Sequence, residues 1–267
     1  MNHYCAYFGF KSEPFTSEIG AKQLLKLPSM VSVKERFDYI MNGGILVITG
    51  EVGSGKSTSL RWSQSHFHMS QYLFLNITAS GGSLNEFYRQ LCWALDMQSL
   101  SGSRTSLLKG FKSTIREIAN TKKQKIVIII DEAHLLRADV FAELHTATQF
   151  ENDSKNLFSL VLAGQPNLLE KLTYRASAPL ASRVIARTHL SNLNQDQMKV
   201  YLEHHLGVAG VKKQLFTDQA VAAIYQGSAG ILRKSNSLAR GGLIAAATEK
   251  EASVSAEHIR IASTELM

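Results

Sequence analysis

The sequence has little of what several protein classes require. It contains two cysteines, Cys5 and Cys92, which excludes a disulfide framework and a cysteine-based metal site. No apolar run approaches the roughly 18–20 residues of a membrane-spanning helix, and runs such as Ile126–Ile130 are short. Residues 1–15 lack the basic and apolar regions of a signal peptide. Because 45% of the residues are hydrophobic and only 19% charged, disorder is excluded, and we expect a cytoplasmic globular protein.

The chain also has fewer acidic residues than basic ones. The chain has 29 lysines and arginines against 22 acidic residues, a net charge of +7 and an isoelectric point near 9.4. Such an excess suits an anionic partner such as nucleic acid, although many enzymes are mildly basic. Between residues 101 and 125, Glu117 is the single acidic residue among Arg104, Lys109, Lys112, Arg116, Lys122, Lys123 and Lys125. This stretch is either a phosphate-contacting surface or an ordinary solvated helix face.

Strand-like and helix-like patterns alternate over the first 190 residues. Apolar runs predict strands at Gly44–Thr49, Tyr72–Ile77, Lys125–Ile130 and Leu157–Ala163. Helical patterns lie between them, at Ser57–Phe67, Ser83–Leu95, Ser106–Ala119 and Val140–Phe150. This alternation predicts an α/β core with a parallel sheet flanked by helices.

The pattern changes near residue 190. Four helical segments follow, at Asn194–Leu206, Thr217–Tyr225, Leu232–Thr248 and Ser255–Leu266. No convincing strand separates them. We therefore expect an α/β core over residues 1–190 and a small all-helical domain over residues 191–267.

A phosphate-binding motif follows the first predicted strand. The Walker A pattern consists of Gly50, Glu51, Val52, Gly53, Ser54, Gly55, Lys56 and Ser57, with Thr58 next in the helix. Its glycines let backbone N–H groups surround phosphates, while Lys56 reaches the β- and γ-phosphates and Ser57 places its hydroxyl on Mg²⁺. The following helix adds its N-terminal dipole. The motif predicts ATP and Mg²⁺ as cofactors.

A second motif ends the third predicted strand. Ile126–Ile130 leads directly into Asp131 and Glu132, the arrangement of a Walker B strand. Asp131 is expected to hold Mg²⁺, and Glu132 to orient or deprotonate the attacking water. The alternative is that the pair caps the next helix. His134 completes an Asp-Glu-Ala-His string, but a helicase of that type needs two nucleotide-binding folds, and this chain has one.

Three further positions are candidates for sensing nucleotide. Gln165 follows the fourth predicted strand and is either a γ-phosphate sensor or a turn residue before Pro166. Arg183 is a candidate arginine finger for a neighbouring subunit. Arg175 and Arg187 compete with it for that role. Arg233 opens a helix of the C-terminal domain and is either a contact to its own subunit's phosphates or a surface arginine.

Together these residues resemble the ExeA-type group of AAA+ ATPases, which includes secretion ATPases and transposition helpers of the TniB, TnsC and Mu B type. The resemblance is carried by Tyr7–Phe10, Glu13–Phe15, Thr49–Lys56, Asp131–Leu135, Leu162–Leu168 and Gly230–Arg233, with Asn236 and Leu238. Two departures occur. Ser57 replaces the more usual threonine, and Ile231–Leu232 replaces a pair that ends in proline.

The resemblance implies a P-loop AAA+ core with a helical lid and a homo-oligomeric ring or helical filament with ATP between subunits. It implies that Lys56, Ser57, Asp131 and Glu132 act on the nucleotide in cis. It makes Arg233 the second sensor and Arg183 the best match for the finger. Residues 1–40 then form an adenine-side segment, with Phe15 beside the base.

The resemblance also bears on function. Secretion ATPases of this group carry a membrane span and a peptidoglycan-binding region, which this sequence lacks. We therefore expect a regulator of DNA transposition that assembles with ATP on duplex DNA, contacts phosphates without reading bases, and has no membrane partner. It would recruit a transposase, with a targeting protein as a further partner, and be released by ATP hydrolysis. Two alternatives stay open: an ATPase that assembles a secretion or envelope complex, and a nucleotide-gated signalling or defence module.

Overall fold

The structure is a computed structural model that describes residues 3–97, 102–151 and 156–265. Two units divide the chain. The α/β unit comprises Pro28–Gly50 and Lys56–Leu190, and the helical unit comprises the chain up to Leu27, Glu51–Gly55 and the chain from Ser191 onward. The helical unit thus resumes at the residue where the sequence analysis begins a helical domain. The N-terminal residues differ from the expectation, because the segment up to Leu27 belongs to the helical unit and not to the core.

Five parallel strands form the sheet of the α/β unit. They are β1 (Gly44–Gly50), β2 (Tyr72–Thr78), β3 (Lys125–Asp131), β4 (Phe158–Gly164) and β5 (Val184–Leu190), in the order β2-β3-β4-β1-β5. The predicted α/β fold with a parallel sheet is confirmed. β5 was missing from the sequence-based assignment. Because all strands run the same way, the carboxyl ends of the neighbours β3, β4 and β1 lie side by side.

Twelve α-helices lie in the described part of the chain. They are α1 (His3–Phe8), α2 (Pro28–Ile40), α3 (Lys56–Gln64), α4 (Leu84–Ala94), α5 (Arg104–Glu117), α6 (Ala138–Thr148), α7 (Asn167–Thr173), α8 (Ala178–Ala181), α9 (Gln195–Val208), α10 (Asp218–Ser228), α11 (Leu232–Thr248) and α12 (Ala256–Glu265). Side-chain caps fix two of the predicted starts. Ser83 accepts from the Glu86 N–H at 3.3 Å before α4, and Thr217 accepts from the Ala220 N–H at 3.1 Å before α10.

The sheet buries both of its faces. Alternate residues of β1 belong to two different apolar clusters, Ile45 and Val47 to one and Leu46 and Ile48 to the other. The first cluster includes residues of α4, α5 and α6, and the second includes residues of α2 and α3. β3 is buried from Ile126 to Ile130, as its continuous β-branched run predicts.

The helical unit has its own apolar core, built from α1 and α9–α12. Its buried aromatic members come from the N-terminal segment, from α9 and from the segment before α10: Tyr4, Phe10, Phe15, Tyr201 and Phe216. Helices α11 and α12 approach closely at Gly242, where a Cβ atom would stand 2.4 Å from Cδ1 of Ile259. Within the described ranges, no helix combines the length and apolar character needed to cross a bilayer.

Candidate active site

Polar residues gather at the carboxyl ends of the central strands of the α/β unit. β1 ends at Gly50, β3 at Asp131 and β4 at Gly164. Thr49 pairs with Gly164 across β1 and β4, and Thr78 of β2 pairs with Asp131. Ligands of open parallel sheets bind outside these strand ends. The sequence motifs therefore meet at the edge of the sheet where a ligand is expected.

Lys56 is a buried cation at the end of β1. Its side chain is 5% exposed, and its Nζ donates a hydrogen bond to the backbone oxygen of Gly50 at 2.9 Å. Lys56 also begins α3, whose first backbone N–H groups have no partner within the helix. An ammonium group beside a helix N-terminus is suited to an anionic phosphate ligand.

Ser57 and Asp131 are directly bonded. The Ser57 hydroxyl donates to Oδ2 of Asp131 at 2.6 Å, and Oδ1 of Asp131 accepts from the Glu132 N–H at 2.9 Å. A hydroxyl and a carboxylate are oxygen ligands of the kind that Mg²⁺ prefers. The structure thus brings the two predicted metal ligands together from motifs 74 positions apart.

Glu132 has an unusual backbone conformation. Its φ of +54° and ψ of +30° lie in the left-handed region, which residues other than glycine seldom adopt. Such conformations cost about 1–3 kcal/mol and concentrate at functional sites. The Glu132 side chain is 38% exposed, and its Oε2 lies 3.3 Å from Nδ1 of His134. The carboxylate is therefore open to water and next to a buried imidazole.

A cavity of about 290 Å³ adjoins the Ser57–Asp131 pair. Its polar lining also includes Arg61 of α3 and Thr78 of β2. One wall is a reciprocal amide pair, in which Gln64 and Asn76 donate to each other's oxygens at 3.1 and 3.2 Å. The sequence motifs do not include this pair. Asn76 in an otherwise apolar strand is the sequence signal that could have indicated it.

The glycine-rich loop Glu51–Gly55 lies in the helical unit with the start of α11. Gly53 and Gly55 have φ angles of +83° and +94°. A Cβ on Gly53 would lie 2.7 Å from Cβ of Arg233, and the Arg233 N–H donates to the Gly53 oxygen at 3.1 Å. The buried Ser54 hydroxyl has no hydrogen-bond partner among the described residues. A loop of left-handed glycines with an unsatisfied hydroxyl fits a phosphate-bearing ligand such as ATP.

The remaining predicted site residues differ in their exposure to solvent. Glu51 and Val52 are exposed in the loop, Thr58 is half-buried in α3, and Arg233 is exposed. Gln165 is half-buried after β4, and its backbone oxygen accepts from the Leu168 N–H at 2.9 Å. The structure therefore places Gln165 beside the ends of β1 and β3, and Arg233 beside the glycine-rich loop.

The three candidate fingers differ in their surroundings. Arg183 is half-buried, and its Nε donates to Nδ1 of His145 on α6 at 3.2 Å. Arg175 and Arg187 are exposed. A residue that reaches another subunit must be accessible, so the structure does not favour Arg183 over its two competitors.

Phe15 is a core residue. Its ring is 4% exposed and stacks on His205 with centroids 5.3 Å apart and an interplanar angle of 18°. Phe216 packs edge-on at 6.0 Å. The expected contact of Phe15 with adenine is not supported, because its ring is enclosed in the core of the helical unit.

Part of the basic stretch is used within the α/β unit. Arg104 forms an ion pair with Glu143, and Lys112 donates to the Gln149 oxygen at 2.9 Å. Burial lowers the pKa of Lys112, and its Nζ lies 5.5 Å from the centre of the Phe150 ring. The exposed Lys125 donates to Oδ1 of Asn42 at 2.8 Å. The exposed lysines that remain for a partner are Lys109, Lys122 and Lys123.

Comparisons with known proteins agree with this site. A family model described as an AAA domain matches residues 40–172, which include both Walker motifs and Gln165. General secretion pathway protein A of Aeromonas hydrophila is 31% identical over 249 residues, which cover 91% of this chain and 45% of that protein. The chain therefore spans less than half the length of this relative.

Solved structures share the fold. Cdc6p from Pyrobaculum aerophilum matches with a TM-score of 0.73 at 15% identity, covering 95% of this chain and 70% of that one. The Aeropyrum pernix ORC1 protein, solved in complex with DNA, matches with a TM-score of 0.68 at 16% identity, covering 94% and 68%. Likenesses at this identity show the fold alone. With the family match, the relative and the Walker motifs at the strand ends, the chain belongs to the AAA-type P-loop ATPases, which in general use ATP with Mg²⁺.

Proposed function

We propose that the chain is an ATP-hydrolysing switch that assembles on duplex DNA when ATP is bound. The ATP site is supported chiefly by the convergence of Lys56, Ser57, Asp131 and Glu132 at the carboxyl ends of β1 and β3, the two neighbours of β4. In this proposal Lys56 exchanges its bond to Gly50 for the β- and γ-phosphates. The glycine-rich loop supplies backbone N–H donors to the same phosphates.

Metal binding and activation of water are assigned to different residues in this proposal. Ser57 and Asp131 would hold Mg²⁺, which supplies charge neutralisation on the phosphates when bound. Glu132, exposed at the end of β3, orients the attacking water and accepts its proton. Gln165 and Arg233 contact the phosphates in cis. One of Arg183, Arg175 and Arg187 serves a neighbouring subunit's nucleotide in a homo-oligomeric ring or filament.

The net charge of +7 supports DNA as the polymer on which the oligomer assembles. Lys122 and Lys123 are exposed at the end of the segment after α5 and are available for phosphate contacts. Contacts of this kind position a protein without reading bases. In the finer form of the proposal, the DNA-bound oligomer recruits a transposase and a targeting protein, and hydrolysis releases the subunits.

Duplex-DNA binding by the purified chain tests this proposal. Binding is measured without nucleotide, with ADP and with a non-hydrolysable ATP analogue, each over a series of salt concentrations. We expect binding and large assemblies with the analogue only, and an affinity that falls about 10³-fold between 50 and 200 mM salt if about six phosphates are contacted. Absence of binding in all three nucleotide states at low salt would contradict the proposal.

A pair of double variants locates the surface. Lys122→Glu with Lys123→Glu is expected to weaken binding at least tenfold and to reduce the salt slope by about two. The matched control is Lys212→Glu with Lys213→Glu, which changes the net charge equally at exposed positions of the helical unit. Equal weakening by both pairs would show that only long-range charge matters.

A second candidate function has a specific observation in its favour. The 31% identity to a general secretion pathway protein supports an ATPase that assembles a secretion or envelope complex. This candidate expects no DNA binding and expects the Glu132→Gln variant to accumulate with the cell envelope in fractionated cells. A Glu132→Gln variant that stays with the nucleoid instead would support the DNA proposal.

A further inference from the structure

His134 lies buried between two groups with expected roles in catalysis. It belongs to a short 3₁₀ turn, Ala133–Leu135, directly after β3, and its side chain is 6% exposed. A Cβ on Gly164 would stand 3.0 Å from the His134 backbone nitrogen and 3.2 Å from its Nδ1. The imidazole therefore packs tightly against Gly164 at the end of β4, and a larger residue there would press on His134.

Nδ1 of His134 has two neighbours that require opposite states of this one atom. The Gln165 N–H points at Nδ1 from 3.3 Å, and Oε2 of Glu132 lies 3.3 Å from the same atom. A neutral imidazole carries one N–H and one lone pair. Without a proton, Nδ1 accepts from Gln165 and faces the Glu132 carboxylate with a lone pair. With a proton, Nδ1 donates to Glu132 and opposes the Gln165 N–H.

The surroundings favour a neutral ring. Burial lowers the pKa of His134; the charge of Glu132 opposes this shift, and the charge of Lys56 adds to it. At neutral pH the two arrangements are therefore two tautomers, not two charge states. Neither distance is the roughly 2.9 Å of a well-formed N–H hydrogen bond, so the geometry is intermediate between them.

We propose that His134 is a positioning residue that makes Glu132 and Gln165 alternative partners of one nitrogen. When Gln165 donates to Nδ1, the lone pair of that nitrogen turns the Glu132 carboxylate away from the ring and toward solvent, where it can act on water. When Nδ1 carries the proton, Glu132 is held against the ring. The left-handed backbone at Glu132 keeps its carboxylate within reach of both positions. This inference rests on the proposed role of Glu132 as the base.

Three substitutions of His134 in the full chain test the proposal kinetically. His134→Leu keeps the approximate size and removes the hydrogen bonds, so the ring no longer orients the Glu132 carboxylate toward water. We expect kcat for ATP to fall about tenfold, which is less than the ~10²–10⁴-fold contribution of a general base. KM should stay within twofold because the phosphate-binding residues are untouched. His134→Asn places an amide near the Nδ1 position and should restore kcat. His134→Gln places it one bond farther and should not.

Several results would overturn the proposal. They are an unchanged kcat in His134→Leu, equal kcat values for His134→Asn and His134→Gln, or a parallel rise in KM. ADP affinity and thermal unfolding of each variant separate a folding defect from a positioning defect. If His134→Leu does not fold, the comparison of His134→Asn with His134→Gln decides.

A spectroscopic measurement needs no turnover and so separates this inference from the proposed function. With ¹⁵N-labelled histidine, the tautomer ratio of His134 is measured with ADP and with a non-hydrolysable ATP analogue. We expect the ratio to differ between the nucleotides, and Glu132→Gln to remove the difference because its amide can donate to Nδ1. The same single tautomer in both nucleotide states would overturn the inference, even if the wild-type protein hydrolyses ATP.

Discussion

Each unit of the molecule buries a histidine beside a glutamate, and the two histidines use their nitrogens differently. In the helical unit, Nδ1 of His258 accepts from the Ser255 N–H at 2.9 Å, and Nε2 donates to Oε2 of Glu249 at 2.9 Å. Oγ of Ser255 also lies 3.2 Å from Nδ1, but a hydroxyl can donate as the N–H does, so both groups are compatible with an unprotonated Nδ1 and the tautomer is fixed. In the α/β unit, His134 presents one nitrogen to two partners at 3.3 Å.

This difference indicates that the His258 site is structural, whereas His134 can change its tautomer. The serine, histidine and glutamate of the helical unit resemble the residue types of a nucleophilic triad. The Ser255 hydroxyl lies 3.2 Å from Nδ1, but the shorter bond to the Nδ1 lone pair comes from the Ser255 backbone N–H at 2.9 Å, so His258 is not free to act as a base for the hydroxyl. The pair instead caps α12, with histidine in the position that glutamate or glutamine takes in a capping box. The fully hydrogen-bonded cluster around His258 stabilises the fold in one arrangement, whereas the environment of His134 permits two arrangements.

The largest expected effect concerns the nucleotide site. Lys56→Met removes the buried ammonium beside Gly50, and we expect ATP turnover to fall at least ~10²-fold, the effect of removing one electrostatic donor. ATP affinity should fall as well. Lys112→Met is the matched control, since it also removes a partly buried lysine bonded to a backbone oxygen. Similar turnover losses in both variants would indicate a general effect on folding and would break the distinction between the sites.

The second-largest effect is a loss of stability at low pH that is due to a third buried histidine, His205. Burial and the nearby His204 lower the pKa of His205 to about 4, below the roughly 6.5 of an unfolded chain. The unfolded state therefore binds more protons between these values, so stability is lost as pH falls from about 6.5 to about 4. At 1.36 kcal/mol per pKa unit, the loss is about 3 kcal/mol.

His205→Phe isolates this contribution. Phenylalanine keeps the stacking with Phe15 and cannot be protonated. The free energy of unfolding is measured by urea denaturation at pH 4 and pH 7. Between pH 7 and pH 4 the wild type should lose more stability than the variant does. A difference independent of pH would contradict the buried, neutral assignment of His205.

A smaller effect is expected at His258. His258→Leu leaves the Ser255 N–H without its acceptor, which should lower the free energy of unfolding by about 1–3 kcal/mol. ATP turnover per folded molecule should not change. His258→Gln supplies the residue of an ordinary capping box and should recover most of the stability. Glutamine is thus expected to replace His258 but not His134, and recovery at both positions would contradict the difference between the two histidines.

The smallest effects belong to matched helix caps in the two units. Ser83→Ala and Thr217→Ala each remove a side-chain acceptor at a helix N-terminus, and each should cost about 1 kcal/mol of stability. Neither should change kcat. Thermal unfolding and ATPase assays on both variants check this, and a selective loss of kcat in Ser83→Ala would link α4 to the chemistry.

Sequence patterns predicted the elements whose own residues determine them. The continuous apolar run of β3 can be buried only in a covered sheet, and α11 begins and ends at the predicted residues. β5 escaped prediction because, as an edge strand, it alternates half-buried with exposed residues, the latter including Arg187 and His189, and buries only Leu190. The residue types do not follow this alternation, because the apolar Ile185 is exposed and the polar Thr188 is half-buried, so the sequence shows no apolar period of two.

The site was predictable where a motif is continuous in sequence. The direct bond between Ser57 and Asp131 joins two motifs whose meeting follows from parallel strand order. Phe15 could not be assigned from sequence, because its packing on His205 depends on how distant helices assemble. The contact between His134 and Gln165 likewise joins residues far apart in sequence. The only sequence signal for it was a histidine two residues after the expected base.

The measurement that tests the account most directly is ATP turnover by Glu132→Gln beside Glu249→Gln, which alters the glutamate next to the other histidine. The account predicts that both variants bind ATP as the wild type does. Turnover should fall about 10²–10⁴-fold in Glu132→Gln and stay unchanged in Glu249→Gln. Wild-type turnover in Glu132→Gln, or equal losses in both variants, would contradict the assignment of catalysis to the strand ends of the α/β unit.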